Sequence, residues 1–178
     1  MSGELTFLKE LSQELKNQDK DSQAAPRFWV IRDYKWLLIP DEYAEEYRVS
    51  DTEDGGWSLA SFLEYVKTDE DYEGVLEEID LSTPDWDTVY NVVEALNKHY
   101  DSEEYSLHGV TRESFIVQDT MFLTKAEAKE HLKLNHYHYT SKAHTYAMTA
   151  WRAPKVGKLL KILENYDWEM LKERENDN

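Results

Sequence analysis

Apolar residues near the start of the chain recur at helical spacing. Leu5, Leu8, Leu11 and Leu15, with Phe7 beside them, predict an amphipathic helix over residues 4–16. Residues 17–26, ending at Pro26, have neither period nor bulk and read as a linker. The pattern then becomes aromatic and β-branched. Residues 27–32 and 35–39, with Asp33-Tyr34 between them, predict two strands joined by a tight turn, or one bent strand, ended by Pro40. A short helix from Asp41 to about Tyr47 is expected next, with acids in its first turn, where free amides favour them. Residues 51–56 read as a turn or mobile loop.

Helical spacing returns at Leu59, Phe62, Leu63 and Val66, with the Ser58 hydroxyl placed to cap the helix. Residues 69–80 carry Tyr72, Val75, Leu76 and Ile79 among many acids and read as a second helix, with Gly74 counting against it. Thr83-Pro84-Asp85-Trp86-Asp87 has the features of a helix start, and Trp86, Val89, Tyr90, Val93 and Leu96 form an apolar stripe ending near Tyr100. Residues 105–108 and 114–117 predict two strands separated by 109–113, with 121–123 a third short extended piece. Thr124-Lys125-Ala126-Glu127 matches a capping box and opens a helix over 125–134. His136-Tyr137-His138-Tyr139 alternates as a strand would, which puts both histidines on one face and both tyrosines on the other. Thr140-Ser141 is a second cap candidate. Pro154 begins a last helix through about Tyr166, and the charged tail beyond Leu171 is expected to fray. The sum is an α+β fold, a small antiparallel sheet packed with several helices. No strand-helix alternation calls for a parallel nucleotide-binding sheet.

Charge divides the chain differently from periodicity. The net charge of −17 comes from 37 acids and 20 bases, with 29 acids and 10 bases in residues 1–120 and 8 acids and 10 bases in residues 121–178. Three regions follow: an N-terminal helix and linker (1–24), an acidic α+β body (25–120), and a basic, aromatic C-terminal module (121–178) that shares the same core. The absence of cysteine excludes disulfides, thiolate nucleophiles and Cys-ligated metal centres. The N-terminus lacks a signal-like basic and apolar run, and no stretch approaches the roughly 20 apolar residues of a membrane span. The expectation is therefore a cytoplasmic protein with no membrane contact.

Two features point toward chemistry. In the acidic body, Asp69, Glu70, Asp71, Glu73, Glu77, Glu78, Asp80, Asp85 and Asp87 crowd one stretch at a cost in self-repulsion. Fixed on rigid helices they would imitate duplex DNA, which carries one charge per roughly 1.7 Å of axis; the alternative is an ordinary solvated face. Trp57, after two glycines in a charged loop, is a candidate interface anchor. Asp51-Thr52-Glu53-Asp54-Gly55-Gly56 has the look of a calcium loop but lacks the later ligands. The second feature is His136, His138 and His144 with Lys142 and Arg152. Paired imidazoles can serve as base and acid in cleaving RNA while the cations stabilise the phosphorane, although same-face histidines meet that need only in part. The competing readings are a zinc site, for which no fourth ligand stands out, single-strand binding by stacking and charge, and plain core tyrosines with hydrogen-bonded histidines.

From Phe122 to Leu163, the segments Phe-Leu-Thr-Lys-Ala-Glu-Ala-Lys-Glu-His (122–131), Asn135 to Tyr139, His144-Thr145-Tyr146 and Ala150-Trp151-Arg152-Ala153-Pro154 resemble a module of small phage and prophage proteins. The whole chain is similar in size and acidity to phage-encoded inhibitors of CRISPR-Cas effectors. That resemblance implies an accessory or host-takeover role in the cytoplasm of a bacterial host cell and carries no catalytic residues with it. The leading expectation is a non-enzymatic inhibitor, needing no cofactor, that binds the basic surface of a host nucleic-acid-binding protein. A ribonuclease-like enzyme acting on guide or other RNA through residues 121–163, the one version in which a divalent metal would enter, is the second expectation. A structural or regulatory module that forms homodimers is the third.

Overall fold

The computed structural model describes residues 3–18, 25–51 and 56–168. Residues 52–55 of the expected loop, most of the linker and the charged tail lie outside these residues. Helices are α1 (Gly3–Asn17), α2 (Leu59–Thr68), the single turn α3 (Glu73–Leu76), α4 (Trp86–Tyr100), α5 (Lys125–Leu134) and α6 (Pro154–Asn165). Strands are β1 (Arg27–Leu38), β2 (Glu46–Ser50), the two-residue β3 (Trp57–Ser58), β4 (Ser106–Ile116) and β5 (His144–Thr149). They form one antiparallel sheet in the order β3-β2-β4-β1-β5, an α+β fold.

Local chemistry accounts for the helix starts. Ser58, Asp85 and Thr124 each accept a hydrogen bond from the amide three residues on, at 3.2, 2.8 and 3.2 Å, and so satisfy amides that the first helical turn leaves open. Glu127 reaches back past the cap and accepts from the Leu123 amide at 3.2 Å, one residue before the position a capping box would use. Pro154 occupies the first turn of α6, where its missing N–H costs nothing.

Of the two readings of residues 27–39, the single strand holds. Three expectations are corrected. Residues 106–116 are one continuous strand, and the stretch 109–113 does not interrupt it. Gly109 is the reason that stretch fits, since a Cβ there would lie 2.9 Å from both Ala44 Cβ and Asp41 Oδ1. The expected helix from Asp41 to Tyr47 is a 3-10 turn over Asp41–Tyr43, followed by β2, whose residues pair with β4 from Glu46↔Val110 to Ser50↔Ser106. The expected helix over 69–80 is a 3-10 turn at Glu70–Tyr72 and then α3. Like charges four apart, at Asp69/Glu73 and Glu73/Glu77, together with Gly74, explain why it does not continue.

The chain separates into two compact units, Lys35–Glu113 and a split unit made of Met1–Tyr34 with Ser114–Asn178. These cuts fall elsewhere than the charge-based boundaries at 24/25 and 120/121. In the split unit, Leu15, Trp29, Val30, Ile31, Ala128 and Leu160 are buried, and the Trp29 indole donates to Gln18 Oε1 at 2.8 Å. In Lys35–Glu113 the core is Val49, Phe62, Leu63, Val66, Leu76, Val89, Val92, Val93 and Leu96, with Tyr72 and Tyr105.

Tyr65, Tyr72 and Tyr105 join their hydroxyls in a row, 3.3 Å and then 2.9 Å apart. Burial raises the Tyr105 phenol from 10.0 to about 12 and raises Tyr72 as well, with the Tyr105 hydrogen bond adding to the effect at Tyr72. Neutral phenols are thus favoured in the folded state. Their contribution is whole below the unfolded value of 10.0 and is lost as pH climbs through about 12. Urea melts at stepped alkaline pH should show stability falling across that window, and Tyr72→Phe with Tyr105→Phe should flatten the fall; an unchanged slope would contradict the assignment.

Candidate functional site

The histidine segment does not adopt the extended form its alternation predicts. His136–His138 is a 3-10 turn after α5, so the two imidazoles do not share a strand face, and the geometry proposed for paired acid and base is not built. The segment ends a helix whose last carbonyls are met locally: Asn135 donates through its amide nitrogen and its backbone N–H to the His131 carbonyl, at 2.8 and 3.0 Å. His136, His138, Lys142, His144 and Arg152 are all exposed. His136 Nδ1 lies 3.2 Å from the Lys133 carbonyl, and His144 Nδ1 lies 3.1 Å from that of Lys142. The His138 ring rests on Tyr137, 4.2 Å between centroids, while Arg152 takes a left-handed φ of 65° with its guanidinium 5.1 Å from the Trp151 ring. His131, outside the predicted set, shares a 2.8 Å hydrogen bond with the Tyr139 hydroxyl and packs on Phe122.

What fixes this segment is a carboxylate that periodicity does not single out. Asp33, 4% exposed, accepts from the amides of Tyr34 and Thr140 at 2.8 and 3.0 Å, and from the Thr140 hydroxyl. Thr140, expected as a helix cap, therefore ties the start of β5 to β1. Asp33→Ala would strand two amides and a hydroxyl, and we expect it to cost about 2–3 kcal/mol, measured by urea denaturation; a loss no larger than that of an exposed substitution would contradict this anchor.

The acidic face is built differently. Lys35–Glu113 holds 22 acids and 5 bases, whereas the split unit holds 15 of each, so the entire −17 resides in the first of these. Four of its five bases are already engaged by their own unit. Lys35 pairs with Glu113 at 3.1 Å, Lys67 with Glu64 at 3.2 Å, and Arg48 and Arg112 both reach Glu46, at 3.4 and 3.9 Å, while their guanidinium groups lie over the Trp36 ring. No Lys or Arg occurs between Lys67 and Lys98.

Within that base-free run, three of the nine candidate acids have structural work. Asp69 and Asp85 cap a 3-10 turn and α4, and Asp80 accepts from the Ser82 amide at 2.9 Å, a bond that holds its carboxyl below the usual range. Among the described residues, Glu70, Asp71, Glu73, Glu77, Glu78 and Asp87 are exposed and enter no ion pair. Because 69–80 is a succession of turns, its charges form a patch and not the rigid helical array expected.

Trp57 is half-buried. Its ring stacks on Tyr65, 5.5 Å away and tilted by 12°, and contacts Phe62 and Tyr105, which makes it core in place of the free anchor expected. Exposed aromatics of this unit include Tyr43 on its 3-10 turn and Trp86, Tyr90 and Tyr100 on α4. Trp86 and Tyr90, 38% and 41% exposed, stack at 5.0 Å and 12°, and Tyr47 of β2 meets Trp86 edge-on at 6.2 Å. Both belong to the predicted apolar stripe; the signal for exposure was the acid on either side of Trp86.

Among the described residues, no group of three or more histidines, aspartates or glutamates is placed to hold a metal ion, and no helix is long and apolar enough to cross a membrane. No protein-family model, curated protein or solved structure matches this chain.

Proposed function

We propose that this protein is a non-enzymatic inhibitor that occupies the positively charged nucleic-acid surface of another protein, with a nucleic-acid-targeting defence protein as the partner class. The observation that carries this reading is the confinement of the whole net charge to Lys35–Glu113, where four of the five bases pair with Glu46, Glu64 and Glu113 while Glu70, Asp71, Glu73, Glu77, Glu78 and Asp87 keep their carboxylates in solvent. Such a surface repels nucleic acid and attracts whatever binds it, with association that is fast at low salt and weakened by screening. The exposed Trp86 and Tyr90 give the patch aromatic contact area of the kind that concentrates binding energy. Catalysis has less support, because His136, His138 and His144 make side-chain hydrogen bonds to backbone carbonyls or none at all.

An order-of-addition assay tests the proposal. Guide-directed nucleases are given the purified chain either before or after their nucleic-acid substrate, and cleavage is followed. Inhibition that is strong when the chain is added first, weak when it is added last, and relieved by salt is the expected result. Cleavage unaffected by molar excess of the chain at low salt would sink it, as would RNA cut by the chain alone.

A further inference from the structure

We infer that Trp86, Tyr90 and Glu94, a row along one flank of α4, form a binding site for arginine side chains of a basic protein partner; this rests on the acidic-surface reading above and assigns it a chemical preference. The three residues are four apart, so they share a helix flank beside the buried stripe of Val89, Val92, Val93 and Leu96, and they span about 12 Å at 1.5 Å per residue. Tyr47 holds one edge of Trp86, and the stack with Tyr90 fixes the ring plane, yet both rings stay more than a third exposed. A purely structural role explains the edge of Trp86 against Tyr47. It does not explain the open ring of Tyr90. At the far end of the row, Glu94 lines an open depression of about 750 Å³ together with Lys98, Asp101 and Glu103, three acids to one base.

Exposed stacked rings serve nucleobases as well as cations. Here a strand lying on Trp86 would bring its phosphates against Asp85, Asp87 and Glu94, so the surrounding charge favours a cation. Between the two cationic side chains, an ammonium gains mainly from the carboxylates. A guanidinium has a planar face to lie on an indole and a fork of N–H donors to reach a neighbouring carboxylate. Aromatic row and carboxylate together therefore select arginine over lysine.

The test uses two extended peptides of equal length and charge, one with arginine and one with lysine at each basic position, titrated calorimetrically into the full chain. The arginine peptide should bind about two- to fivefold more tightly. Trp86→Leu or Tyr90→Leu should bring the two affinities together while both peptides keep salt-sensitive binding; should Trp86→Leu melt early, Tyr90→Leu decides. Equal affinities in the unmodified chain, or a preference that survives the substitutions, overturn the arginine site and leave the acidic-surface reading standing. Failure of both peptides to bind at low salt overturns the two together. Tighter binding of a single-stranded oligonucleotide through the same two rings would also overturn the assignment.

Discussion

Phe62→Ala should destabilise Lys35–Glu113 by about 3–5 kcal/mol, the cost of truncating a large aromatic in a packed core. Phe62 is fully buried, with the rings of Tyr105 and Trp57 at 5.3 and 5.9 Å, and it sits in α2 between Leu63 and the turn capped by Ser58. Removing it empties the space those rings share. The loss is a large share of the roughly 5–15 kcal/mol that holds a small domain together. This unit has less to spare than most, because 22 carboxylates against 5 bases repel one another when it closes. Added monovalent salt should therefore recover part of the deficit, a response a neutral core would not show. Urea and thermal melts of both chains at low and high salt measure it, and a loss below about 1 kcal/mol, the range of an ordinary surface change, would contradict this packing.

The largest effect on binding should come from reversing five acids that have no structural partner. Glu70, Glu73, Glu77, Glu78 and Asp87 are chosen because Asp69, Asp80 and Asp85 hold turns and a helix start, and changing those would confound folding with recognition. Lysine at the five positions adds two charge units at each, taking the chain from −17 to about −7. At about 0.5–1 kcal/mol for each solvent-exposed pair, affinity for a basic partner should fall on the order of a hundredfold or more. The same variant should melt higher at low salt, since self-repulsion is relieved and no internal ion pair is lost. Those two shifts in opposite directions separate a recognition surface from a structural one. A variant that binds as before, or one that melts lower, would count against the assignment.

Much of the fold was readable locally. Ser58, Asp85, Thr124 and Pro154 announce helix starts through side-chain chemistry, and α2, α4, α5 and α6 begin there. What escaped depends on partners distant in sequence. β2, Glu-Tyr-Arg-Val-Ser, does alternate Tyr47 and Val49 with polar residues, but over only five positions, overlapping the acid-rich start that suggested a helix, and β4 supplies its ladder. β5 was likewise hidden behind a threonine that resembles a cap and instead bonds to Asp33, 107 residues away in sequence. The alternation of His136 to Tyr139 was a false strand signal, since the end of α5 leaves carbonyls that a tight turn satisfies. The candidate site divides in the same way. Its charge was legible, because charge is additive along the chain; its aromatic contact was assigned to Trp57, whose ring packs on Tyr65, whereas Trp86 and Tyr90 stay exposed beside the acids, a distinction that only packing makes.

The most direct measurement is the affinity for a nuclease whose cleavage the chain blocks, taken across a range of monovalent salt for the unmodified chain and the five-site variant side by side. With the carboxylates of Asp69 to Asp87 facing that partner, the logarithm of affinity should fall steeply and linearly with the logarithm of salt, and clearly less steeply in the variant. Parallel lines, or an affinity that salt does not change, would contradict it.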